Sequence, residues 1–271
     1  MEKSILPIVV IYHCQLTEAT AYTSFIQKNG IAEFVVYDNS PADYRQQPGV
    51  IPSTAHYYHD DKNGGLSKAY NYGASKAEEL GYDWVLLLDQ DTFFPEGAWE
   101  VYQKSVACRK LMAPSVVLTQ GAPFSPCRPT WMGMKPVRLP AGEYSLKEFS
   151  VINSGCCVPV ALFRAAGGYK ESVRLDFSDY QFQRRLRRVS DHFVLIAVEA
   201  VQDFSNKEQD PVKLLTRFRF YLEGALQCDS ETPAERIKRH VQVLKHSIAL
   251  TARTKNIQFM KLYTTKYLLH L

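Results

Sequence analysis

The segment Trp84-Val85-Leu86-Leu87-Leu88-Asp89-Gln90-Asp91 decides how the rest of the chain is read. An apolar run that ends abruptly in carboxylates is the pattern of a buried strand delivering acids to the edge of a sheet. Residues 84–88 are therefore predicted as a strand. If the chain stays extended, Asp89 and Asp91 are two apart and point to the same side. Two hard oxygen donors in that arrangement suit a divalent ion such as Mg²⁺ or Mn²⁺. An Asp-x-Asp pair after a strand also arises as a simple turn cap, so the pattern needs support from elsewhere.

Working outward, strands and helices alternate. Strands are predicted at residues 8–12, 34–38, 56–59, 111–118, 151–158 and 193–198. Helices are predicted at 17–28 (capped by Thr17 and stopped at Asn29-Gly30), 66–80 (ended by Gly81), 97–107, 159–166 and 177–188. This alternation implies an α/β fold, a mainly parallel sheet with helices on both faces. Ligands of such folds bind beyond the carboxyl ends of the strands, and here those ends carry Tyr12, Asp38 and Asp89. Residues 120–148 are rich in proline and turn formers, with Trp131 and Met134 among them, and read as an irregular segment over the site. After Pro211 the pattern is helical, with Ile237, Val241, Leu244 and Ile248 on one face. The expected division is a body over residues 1–210 and a helical extension over 211–271.

Composition fits a globular protein: 46% hydrophobic and 22% charged residues over 271 positions. The net charge of +4 is too mild to imply a nucleic-acid partner, and none is expected. Its distribution is uneven. From Pro211 onward there are 11 Lys and Arg against 4 Asp and Glu, leaving −3 for the first 210 residues. A basic tail on a slightly acidic body suggests contact with an anionic membrane surface, the plain alternative being a solvated helical face. None of the six cysteines forms a zinc-type Cys-x-x-Cys pair, which fits a reduced, cytoplasmic setting at or near the inner face of a membrane. The run 5–12 is interrupted by Pro7 and followed by His13, so it reads as a first strand and not a signal peptide. No apolar stretch reaches the roughly 18 residues of a membrane span.

Two further segments carry chemistry. Asn63-Gly64-Gly65-Leu66-Ser67-Lys68 opens a helix whose N-terminus attracts anions, with Lys68 one turn inside. The spacing of a P-loop is absent. Asn153-Ser154-Gly155 is followed by Gly167-Gly168-Tyr169 and by Asp176-Phe177-Ser178-Asp179, where a helix would place Asp176 and Asp179 on one face. Acids early and arginines late would also stabilise any helix.

Taken in order, these segments resemble the inverting family-two glycosyltransferases of the GT-A fold, and especially their bacterial rhamnosyltransferase-like branch. The resemblance covers roughly residues 5–205. It implies a metal-dependent hexosyl transfer from a nucleotide-diphosphate sugar, dTDP-rhamnose or a UDP-sugar, to a hydroxyl of a glycan or lipid-linked acceptor, in surface polysaccharide synthesis. By this resemblance Tyr12 and Asp38 hold the base, Asn63 and Lys68 line the same pocket, Asp89 faces the ribose beside the metal, and Asp91 binds it. Asp179 is the general base and Asp176 contacts substrate. The family often has a histidine after the late strand. Here Val201-Gln202-Asp203-Phe204-Ser205 has none, and Asp203 stands as the substitute metal ligand. Asp179, with an ordinary pKa of about 3.9, would be ionised at neutral pH. A nucleotidyltransferase is disfavoured because His13-Cys14-Gln15-Leu16-Thr17 lacks a basic, glycine-rich loop. A degenerate GT-A module that only binds is the other alternative.

Overall fold

Strand β1 (Ile5–Ile11) is buried at every position, because parallel neighbours flank it on both sides and helices cover both faces. The computed structural model describes residues 4–131, 133–203 and 210–270. β2 (Phe34–Asp38), β3 (Ala55–His59) and β4 (Trp84–Asp89) extend the parallel set, with β1 between β2 and β4 and β3 beyond β2. The remaining strands are β5 (Thr92–Phe93), β6 (Leu111–Leu118), β7 (Pro123–Ser125), β8 (Cys127–Thr130), β9 (Gly133–Pro136), β10 (Gly142–Ser145), β11 (Cys157–Pro159) and β12 (His192–Gln202). The main sheet runs β10-β12-β6-β11-β4-β1-β2-β3, with β5 on β12 and β7 on β6. β8 and β9 form a separate hairpin.

Helices α1 (Gly65–Leu80), α2 (Ala98–Ser105), α3 (Val160–Ala165) and α4 (Ser178–Leu186) belong to the body. One face of the sheet buries Tyr70, Ala74 and Ala77 of α1 with Phe163 and Phe182; the other buries Tyr102 of α2 with Phe25 and Phe94. A third cluster, with Phe218, Leu222, Val243, Leu250 and Phe259, holds α5 (Pro211–Gln227), α6 (Pro233–Thr254) and α7 (Gln258–Leu262) together. α5 and α6 start with Asp210 and Thr232 side chains accepting from backbone N–H groups, and each has proline in its first turn.

The sheet is parallel through β1–β4 and between β6 and β12, and β11 runs antiparallel between β4 and β6. Three local expectations change. The strand expected over 151–158 shrinks to Cys157–Pro159, because Val151 and Ile152 give their N–H groups to the side chains of Gln183 and Ser125 and Asn153 closes a turn, so that backbone pairing with β4 begins only at Gly155. The helix expected over 17–28 becomes a short turn at Leu16–Glu18 followed by a wide π-type helix at Tyr22–Gln27. There the hydroxyls of Thr23 and Ser24 bond carbonyls one turn back, a contact that bends helices. The segment 120–148, expected to be irregular, folds into four short strands.

Candidate active site

The site begins where β4 ends. Asp89 closes the strand, but Gln90 and Asp91 form a turn into β5, which pairs antiparallel with β12. The expectation of one extended chain through Asp91 is therefore corrected: the alternation rule stops at Asp89, and the two carboxylates are set by the turn. Asp89 Oδ1 accepts from the Tyr70 hydroxyl of α1 at 2.5 Å, and its N–H donates to Ser154 Oγ at 3.2 Å. The Gln90 side chain clasps the end of β1, accepting from the Tyr12 N–H at 2.7 Å. Tyr12 itself stands beyond the strand, 47% exposed and edge-on to His13.

The loose segments of the sequence are joined by side chains. Asn71 of α1 accepts from the Tyr169 N–H at 2.8 Å and donates to the Tyr169 carbonyl at 2.9 Å. The Tyr169 hydroxyl donates to Asn153 Oδ1 at 2.7 Å, and Asn153 Nδ2 donates to Ser178 Oγ at 3.0 Å. The Tyr169 ring stacks on Phe182 of α4 with centroids 4.2 Å apart. Through this chain the end of β4 and the start of α4 are held in one frame.

α4 does not include Asp176. Phe177 takes a left-handed conformation (φ 70°) and the helix starts at Ser178, so the shared helical face expected for Asp176 and Asp179 does not exist. Asp176 instead pairs with Arg217 of α5 at 3.0 Å, while its Oδ2 is buried without a partner among the described residues. Gly224 of α5 lies against the same turn: a Cβ there would fall 2.5 Å from the Asp176 carbonyl oxygen, so only glycine lets the helix approach.

The acids of the site are electrostatically strained. Burial pushes the Asp89 carboxyl up to about 7, with the charges of Asp91 and Asp179 adding to it and Tyr70 and Arg217 opposing. Asp179 is pushed up to about 6 by burial, opposed by the Tyr180 N–H and reinforced by Asp176. The ordinary carboxyl value expected for Asp179 is thus corrected upward. Asp91 is also raised by burial, and a hydrogen bond from Gln202 works against that. Gln202 Nε2 donates to Asp91 Oδ1 at 3.3 Å, its Oε1 is buried without a partner among the described residues, and the Asp203 N–H donates to the Asp91 carbonyl at 3.3 Å. Among the described residues no three His, Cys, Asp or Glu side chains converge on a metal-sized gap. The donor set that fits a hard cation is Asp91, the orphaned Gln202 oxygen and exposed Asp203; Asp89 Oδ1 is engaged by Tyr70. Phe204 and Ser205, read with Asp203 in the sequence, lie outside the described residues.

The side expected to hold the base is fully partnered. Asp38 is buried and accepts from the Ser40 N–H (2.9 Å), Gln46 Nε2 (3.0 Å) and the Tyr57 hydroxyl (3.0 Å). Lys68 is paired with buried Asp60 at 2.9 Å, and Asp60 also accepts from the Tyr37 hydroxyl at 2.6 Å. Burial pulls the Asp60 carboxyl up, but Lys68 and Tyr37 outweigh it and hold it below its usual range. Asn63 adopts φ 48°, and its carbonyl accepts from Arg174. Sequence reasoning missed Gln90, Gln202 and Arg217. Gln90 and Gln202 could have been suspected from their positions beside the strand-end acids; Arg217 had no local signal, being distant in the chain.

Residues 8–130 match the family model described as Glycosyl transferase family 2. The chain is similar to the low-salt glycan biosynthesis hexosyltransferase Agl10 of Haloferax volcanii, with 25% identity over 206 residues; the match takes in 72% of this chain and 66% of that protein, a little under two thirds of its length. Its fold is similar to that of GalNAc-T7, solved with UDP, GalNAc and Mn²⁺ (TM-score 0.56, 11% identity, 92% of this chain and 57% of that one). It is also similar to residues 1–349 of TarS from S. aureus, solved with UDP (TM-score 0.54, 15% identity, 97% of this chain and 73% of that one). The chain therefore has the GT-A fold, with a glycosyl transferase family 2 match over residues 8–130 of its sheet.

Proposed function

We propose that the protein transfers a sugar from a nucleoside-diphosphate donor to a hydroxyl of a glycan or lipid-linked acceptor, with inversion at the anomeric carbon. The observation that carries the reading is the side-chain frame (Tyr70 on Asp89, and Asn71, Tyr169, Asn153 and Ser178 in turn) that holds the start of α4, with Asp179, beside the strand-end acids Asp89 and Asp91. Asp179 accepts the proton of the acceptor hydroxyl; a pKa of about 6 leaves it mostly ionised at pH 7 and makes it a stronger base than an ordinary aspartate. Asp89, held by Tyr70, orients the donor's ribose. Asp91, Gln202 and Asp203 would hold Mg²⁺ or Mn²⁺, which when bound offsets charge on the departing diphosphate. Arg217, 55% exposed and paired with Asp176, supplies a positive charge on the same side. Tyr12 and the Asp38 turn border the base, with Asn63 and Lys68 behind them, and Asp176 holds Arg217 toward the site. The donor is dTDP-rhamnose or a UDP-sugar, matching the branch resembled, and residues 1–210 form the catalytic body with 211–271 as a helical extension.

The test is release of nucleoside diphosphate from dTDP-rhamnose, UDP-glucose and UDP-GlcNAc, with and without Mn²⁺ and acceptor. Release from at least one donor that Asp179→Asn lacks is expected. Absence of release from all of them, with intact protein, sinks the reading.

A further inference from the structure

The last 36 residues, Arg236 to Leu271, contain eight Lys and Arg and no Asp or Glu. α6 buries Val243, Ser247 and Leu250 against its helical neighbours. A second stripe remains open: Ile237, Val241 and Ile248 are 54%, 37% and 53% exposed, at positions sharing one helical face. Lys238 and Lys245, both exposed, flank that stripe. Trp131, at the turn of the β8–β9 hairpin, is 58% exposed and carries Lys238 Nζ 5.3 Å over its ring. Met134 on the same hairpin is exposed as well, beside exposed Arg128 and Lys135. Hairpin and helix thus form one surface in which aromatic and branched apolar side chains stand among cations.

Isolated exposed apolar residues are ordinary, but this combination is not. Tryptophan and isoleucine gain from the boundary between lipid headgroups and acyl chains, while lysine and arginine gain from an anionic surface. A nucleic acid would use the cations and leave Ile237, Val241 and Ile248 unrewarded. The hairpin is also wired to the site: the Cys127 N–H donates to the Ser150 carbonyl at 2.7 Å, and Ser150 Oγ donates to Gln183 of α4 at 2.9 Å. We propose that the α6 stripe and the Trp131 hairpin dock the protein on an anionic lipid bilayer, apolar side chains inserted and lysines on the headgroups. This surface goes beyond the sugar transfer proposed above and does not depend on it, since docking is read without donor or acceptor.

The test uses the full chain and vesicles of phosphatidylcholine with or without phosphatidylglycerol. Sedimentation should show roughly tenfold or greater preference for the anionic vesicles, weakened by salt. Lys238→Glu/Lys245→Glu should erase the preference, and Ile237→Ser/Ile248→Ser should reduce binding with an unchanged melting temperature. Brominated acyl chains should quench fluorescence in the wild type and not in Trp131→Phe, because Trp84 is buried and Trp99 partly so. Equal binding to neutral and anionic vesicles, or binding to neither, overturns the proposal. So does binding that ignores both double variants. A concentration-dependent dimer lost in the isoleucine variant, without vesicle binding, would reassign the face to self-association and also overturn it.

Discussion

Asp60 and Asp179 are the same residue type, both drawn out of water, and the structure treats them in opposite ways. Asp60 receives Lys68, the Tyr37 hydroxyl and the Gly64 N–H, and its carboxyl falls below the usual range. Asp179 receives its own neighbour's N–H, faces the charge of Asp176 and rises to about 6. Desolvation acts on both; what differs is whether hydrogen bonds and opposite charge compensate it. A compensated acid stabilises the fold, and an uncompensated one stores proton affinity for chemistry. The first pattern lies at the turn after β3, the second at the end of β4 and the start of α4.

The largest effect should come from removing the uncompensated charge. Asp179→Asn is expected to lower kcat by roughly 10²–10⁴-fold while donor affinity by calorimetry stays near the wild-type value. The same substitution should raise stability by about 1 kcal/mol, since a charge the fold does not compensate is gone. A mutant that transfers sugar normally, or that is less stable, breaks the comparison. Asp60→Asn should act with the opposite sign on stability, costing about 1–2 kcal/mol in a denaturant titration, because the charge that pairs with partly exposed Lys68 is lost while the amide oxygen still accepts from Tyr37. If that cost is absent, Asp60 is not the anchor of α1.

Arg217→Ala sharpens the electrostatic side. It should raise the KM for the donor and lower kcat/KM by about tenfold to a hundredfold, with Arg217→Lys recovering part of the loss. Unchanged kinetics would leave Arg217 as only the partner of Asp176. The smallest effect is in the pH profile. Because the folded pKa of Asp179 is raised, kcat should be on its plateau above neutrality and fall with decreasing pH through about 6, reaching roughly a tenth of the plateau one unit lower. Its destabilising contribution is correspondingly relieved over the same range. The Asp60 contribution has the reverse dependence: it is complete above the ordinary carboxyl value and is lost only as pH falls through its lower folded value. A kcat that is flat from pH 7 to pH 5 excludes Asp179 as the titrating base.

Much of the frame was legible in local pattern. The buried runs at residues 8–12, 34–38 and 84–88, and the helix opening near Gly65 and closing at Gly81, appear within a few residues of their expected places. Periodicity and cap residues are short-range signals, so they survive folding. The strand expected over 151–158 did not, since its apolar content came from residues packing around a turn and not along a ladder. Likewise the spacing of Asp176 and Asp179 suggested one helix, and the left-handed Phe177, against which Gly224 packs, separated them.

By itself the sequence determined that a buried strand would deliver carboxylates at its end, and that a basic helical stretch would follow Pro211. Those features depend on residue type and neighbours a few positions away. Only the tertiary structure decided which acids would be compensated. Lys68 and Tyr37 reach Asp60 from other elements, while Asp89, Asp91 and Asp179 crowd together from two distant segments. It also decided that Arg217 would meet Asp176 across 41 positions of chain and that Trp131 would sit beneath Lys238. Desolvation and Coulomb interactions act through space over a few ångströms, and separation along the chain carries no information about them until the sheet and helices have closed.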